Sequence, residues 1–138
     1  MAERYPQYYF YEGWPVVFVR TPDGGLDCLR LSAENGEFVR NMSYVRKIRY
    51  GTTADIDTVT RDAFIQMVEA LRGERLKGEG PVFALYETID AVEQKARDEG
   101  RWLTPEEEAL IHSLRVRTHE LFEAELRAQG RRGMPEES

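Results

Sequence analysis

The sequence holds a single cysteine, Cys28. One thiol excludes an intramolecular disulfide and any multi-cysteine metal site. Set between Leu26 and Leu29, it reads as a small buried hydrophobe. Histidine is almost as scarce, with only His112 and His119. Seven residues apart on a helix, they stand two turns, or roughly 10 Å, from each other, too far to share one metal ion unaided. Asp55, Asp57 and Asp62 match no calcium loop, since the bidentate twelfth-position Glu is missing. No run approaches the roughly 20 apolar residues that cross a bilayer. The opening Met-Ala-Glu-Arg-Tyr-Pro is not followed by the apolar core of a secretory leader. A cytoplasmic location is expected. No Gly-x-Ser-x-Gly elbow is present, and the Gly-rich connector 73–80 runs into Pro81-Val82 where a phosphate loop needs Gly-Lys-Ser/Thr. No catalytic residue, metal or cofactor is assigned from these residues. There is no internal repeat.

What is present fits a folded chain. Of 138 residues, 41% are hydrophobic and 32% charged, a balance that can build a core and does not suggest disorder. The formal net charge is −6, which argues against a general binder of nucleic acid or anionic membrane. The charge is uneven. Residues 1–50 carry 7 basic and 6 acidic side chains, residues 51–138 carry 12 and 19. An anion-binding surface is therefore expected in the first third.

The stretch Val16–Leu31 organises the chain. Two β-rich runs flank Thr21-Pro22-Asp23-Gly24-Gly25, in which Pro22 presets the first turn dihedral and Gly24 accepts a positive one. Residues 5–14 hold six aromatic side chains and read as an added edge strand. Asn35-Gly36 signals a further hairpin, with a short strand to Asn41. Residues 43–50 are ambiguous. Val45 and Ile48 have helical spacing, whereas Tyr44, Arg46, Ile48 and Tyr50 alternate, and a strand is preferred.

Helix signals dominate the rest. Thr60 is a fitting N-cap, with Val59 and Phe64 as its staple, for a helix over about 61–72. Pro81 opens a second helix that Gly100 stops. Thr104, Pro105 and Glu107 form a capping box for a third, reaching about Gln129. The short link between the last two predicts an antiparallel αα-hairpin. The expected fold is α+β, an N-terminal antiparallel β-meander of four to five strands over 1–51 followed by three helices. These comprise a capped helix within 58–73 and the αα-hairpin over 81–129, with 130–138 as a flexible tail of one domain.

Two surfaces stand out. Leu85, Ile89 and Val92 on one arm of the hairpin, with Ile111, Leu114, Leu121 and Phe122 on the other, form apolar stripes larger than one small sheet needs. They suggest a non-enzymatic protein-interaction or regulatory chain, with a protein partner or a second copy docking there as a homodimer. The alternative is a nucleic-acid-associated regulator using Arg40, Tyr44, Arg46, Lys47, Arg49 and Tyr50, whose basic and aromatic mixture suits single-stranded nucleic acid. A second alternative is a small-molecule binder or a carboxylate acid/base enzyme with a pocket between sheet and helices.

Overall fold

A computed structural model describes residues 4–51 and 54–137. Residues 1–3, part of the segment read above for a leader, and Ser138 of the tail lie outside that description. The fold is α+β. Strands β1 (Gln7–Tyr11), β2 (Trp14–Arg20), β3 (Leu26–Leu31) and β4 (Phe38–Arg40) form an antiparallel meander. Strand β5 (Ile56–Val59) then pairs antiparallel with β1, so the sheet order is β4-β3-β2-β1-β5. Helices α1 (Ser43–Tyr50), α2 (Arg61–Arg75), α3 (Pro81–Asp98) and α4 (Pro105–Ala128) complete it.

The turns follow from their residues. Glu12 and Gly13 both have positive φ, at 48° and 80°, the geometry of a two-residue turn between right-twisted strands. In the β2–β3 turn the Gly24 N–H donates to Thr21 O and the Thr21 N–H to Gly25 O, and Gly24 supplies the left-handed position at φ 86°.

The central strand β2 is covered on both sides, which explains its unbroken Val-Val-Phe-Val run. On one face Tyr8, Val17, Leu29, Leu31 and Phe38 pack with Phe64 and Val68 of α2. On the other, Val16, Phe18 and Cys28 are fully buried against Tyr44, Val45 and Ile48 of α1.

That second face overturns the preference for a strand over 43–50. Tyr44, Val45 and Ile48 lie on one side of a helix, and the sheet offered them an uncovered apolar surface. A second correction concerns residues 55–59. No strand was expected there, yet Ile56–Val59 form β5, so β1 is an interior strand and not an edge. A third concerns the tail. The Phe38 N–H donates to Arg132 O, and Met134 is only 6% exposed within the α2-side core. One methionine with the right reach filled a gap that polar neighbours concealed.

The helix starts form as their caps require. Thr60 Oγ accepts from Ala63 N at 3.1 Å. Thr104 and Glu107 exchange both bonds of a capping box, at 3.1 and 2.9 Å.

Helix α4 packs against both α2 and α3 rather than on the strands. Asp62 meets His112, Glu69 meets Thr118 and Arg72 meets Glu123, so α2 and α4 run side by side in the same direction. Glu93 faces Arg115 across the antiparallel α3–α4 pair. Because His112 is level with the start of α2, the seven residues 105–111 reach about 10 Å beyond it, together with the loop 99–104.

Candidate functional site

The surface of the hairpin is set by a polar cluster beneath it. Arg72 is fully buried, and its guanidinium donates to Glu69 Oε2 at 2.8 Å and Glu123 Oε2 at 2.7 Å. It also donates twice to the Gly36 carbonyl, at 3.1 and 2.7 Å, and its face lies 4.1 Å from the Phe122 ring centroid. Glu69 Oε1 accepts from Tyr86 Oη at 2.8 Å and Thr118 Oγ1 at 2.7 Å. Glu123 Oε1 accepts from the Met134 N–H at 2.8 Å. One cation therefore ties α2 and α4 to the β3–β4 turn, while its two carboxylate partners bring in α3 and the tail. Gly36 is required there, since a Cβ would stand 2.6 Å from Phe122 Cζ.

This cluster is built to hold elements in register. Burial by itself raises the Glu69 carboxyl, but the His119 ring edge at 3.6 Å, the Arg72 charge and the Thr118 and Tyr86 hydroxyls outweigh it. The net shift is downward, which makes Glu69 a weak base with both oxygens already engaged. An open groove of about 550 Å³ runs above it between α2 and α3. Glu74, Glu87, Asp90 and Glu93 line it opposite Lys77, Arg97 and Arg115. The groove thus mixes both signs of charge along an open cleft. Among the described residues no group of three or more His, Cys, Asp or Glu is placed to hold a metal ion. His112 pairs with Asp62 at 2.9 Å, half exposed, and joins α4 to α2.

The structure divides the seven apolar hairpin residues. Ile89, Ile111 and Phe122 are buried, at 5%, 4% and 9% exposure, in contacts made within the chain. Leu85, Val92, Leu114 and Leu121 remain partly exposed. Leu85 and Val92 fall seven apart on α3, and Leu114 and Leu121 seven apart on α4, so each pair keeps to one side of its helix. Leu110, 46% exposed, continues the α4 row toward the tip.

Among the described residues, the most exposed large hydrophobic side chain lies outside the apolar stripes. Trp102, in the α3–α4 loop, is 94% exposed. Its loop is well fixed. The Arg101 guanidinium contacts both Glu107 oxygens at 2.7 and 3.2 Å and Glu99 at 3.1 Å, and it donates to the Trp102 carbonyl at 3.1 Å. The Arg101 N–H donates to Ala96 O. The Arg101 bond and the Thr104 backbone N–H hold the Glu107 carboxyl down at about 2. The available signal was local: a tryptophan between a Gly100 helix stop and a capping box has no helical face to join.

The basic set is likewise divided. Tyr44 turns inward. Arg40 pairs with Asp27 at 2.8 Å, and Arg49 lies 5.5 Å over the Phe18 ring and donates to Tyr5 Oη. Arg46, Lys47 and Tyr50 face outward on α1.

No described helix is long and apolar enough to cross a membrane. No protein family, curated protein or solved structure matches this chain, so its function rests on its own residues.

Proposed function

We propose that the chain is a non-enzymatic protein-interaction or regulatory module that presents the tip and outer flank of the α3–α4 hairpin to a protein partner. Trp102 carries the reading. A tryptophan side chain offers about 200 Å² of burial, and leaving it in water forgoes roughly 4–5 kcal/mol at 25 cal/mol/Å². Here that surface stands on a loop whose backbone Arg101 holds, so docking has to order little more than the two side-chain torsions of the indole. Leu110 is a second exposed apolar side chain, near the start of α4, and the carboxylates of Asp98, Glu99, Glu106 and Glu108 surround the tip in sequence. The complementary surface is an apolar pocket with a basic rim.

The test is affinity capture from the native cell with the wild-type chain and with Trp102→Ala, their folds matched by circular dichroism. The expected result is at least one protein retained by the wild type and depleted tenfold or more by the variant, as for a buried aromatic anchor. Identical capture by both chains overturns the proposal. If the partner is a second copy, sedimentation equilibrium gives twice the chain mass for the wild type and the single-chain mass for the variant.

A further inference from the structure

The outward side of α1 carries a different surface. Between Phe38 and Ala54 the sequence has four cations and no carboxylate, within a chain whose net charge is −6. Helix geometry sorts that segment. At 100° per residue Ser43, Arg46, Lys47 and Tyr50 fall within about 100° of arc, on the side opposite the apolar residues packed on the sheet. Arg46 is exposed, Lys47 leans on the Tyr44 ring at 4.9 Å and the Tyr11 ring at 5.9 Å, and the Tyr50 ring is 78% exposed. No ion pair to Arg46 or Lys47 is formed among the described residues.

We propose that this ridge binds single-stranded nucleic acid, with Arg46 and Lys47 on successive phosphates and a base stacked on Tyr50. The same geometry argues against a lipid surface. A helix that lies in a membrane interface needs its apolar face free, and on α1 Tyr44, Val45 and Ile48 are committed to Val16, Phe18 and Cys28. A purely acidic peptide would use the two cations but would leave the exposed ring without a role. The ridge spans about 12 Å, the length of eight helical residues, and so accommodates a few nucleotides. Its affinity is modest and depends on salt.

The test uses fluorescence anisotropy with a labelled twelve-nucleotide oligouridylate. The proposal predicts binding at 50 mM KCl that weakens roughly sevenfold by 200 mM, as for two phosphate contacts on a single strand. Arg46→Ala combined with Lys47→Ala lowers affinity tenfold or more. Tyr50→Ala lowers it about fivefold or more through the lost stacking, whereas Arg117→Ala, on the exposed side of α4, leaves it unchanged. All four positions are on the surface, and circular dichroism verifies the fold of each variant. Absence of binding at 50 mM KCl overturns the proposal. So does affinity indifferent to Tyr50, since that describes a general polyanion surface. Equal or tighter binding to phosphatidylserine vesicles, or to a poly-glutamate peptide of the same charge, overturns it as well. None of these results bears on Trp102, so the two proposals stand or fall separately.

Discussion

Replacing Arg72 with methionine is the sharpest perturbation of the fold that presents both surfaces. Arg72→Met keeps most of the side-chain volume and removes the bonds to Glu69, Glu123 and Gly36. It leaves two carboxylates whose side chains are 0% and 6% exposed without their cation. Breaking a buried ion pair by deleting one partner costs about 3–5 kcal/mol. Stabilities of ordinary domains run to roughly 5–15 kcal/mol, so about a fifth or more of the total is at stake. At about 3 °C per kcal/mol the melting temperature falls by roughly 10–15 °C. The pH dependence identifies the cause. In the wild type Glu69 titrates below its ordinary value, so its stabilising contribution is complete above the ordinary carboxylate range and is lost as pH falls through the lowered folded value. In the variant the Arg72 charge is gone, burial is less well offset, and the Glu69 carboxyl moves up from its wild-type position. Its destabilisation is then present at neutral pH and relieved on acidification. Urea melts followed by circular dichroism at pH 7 and pH 4.5 are therefore expected to show a deficit that shrinks at the lower pH. Adding Glu69→Gln and Glu123→Gln to Arg72→Met recovers much of the loss at pH 7. A deficit below 1 kcal/mol at pH 7, or one of equal size at both pH values, refutes the reasoning.

Two further outcomes follow from burial. The Cys28 thiol is pushed up to about 12, by burial first and then by the Asp27 charge. It is expected to stay unreactive toward a disulfide reagent at pH 8 until the chain is unfolded in urea, and reaction of the native chain within minutes contradicts this. Met134→Ala opens a cavity in the α2-side core and is expected to cost about 2–4 kcal/mol in a urea melt. A change under 0.5 kcal/mol shows instead that the tail contributes little.

What could be read from the residues was local. The starts of α2 and α4 are written in Thr60 and in Thr104 with Glu107, because a cap satisfies N–H groups only three residues away. The turns at Gly24 and Gly36 are local for the same reason. Helix α1 was not legible, because eight residues fit both periods and the decision lay with Val16, Phe18 and Cys28 across the sheet. Strand β5 was hidden by its polar Asp57 and Thr58 and by a partner strand more than forty residues earlier. Glu69 and Arg72 look like a solvated i,i+3 pair until α4 and Gly36 close over them. The apolar stripes of the hairpin are local in the same way, but Ile89 of the three residues on α3 and Ile111 and Phe122 of the four on α4 are already buried inside the chain. The side chain on which the proposed function rests, Trp102, lies in a loop where no periodicity points.

The most direct test of that surface is photo-crosslinking in the native cell with p-benzoylphenylalanine in place of Trp102. A discrete protein adduct is expected from position 102 and none from the same probe at Pro22, an exposed turn residue at the end of the β2–β3 hairpin. No adduct at 102, or the same adducts from both positions, contradicts it.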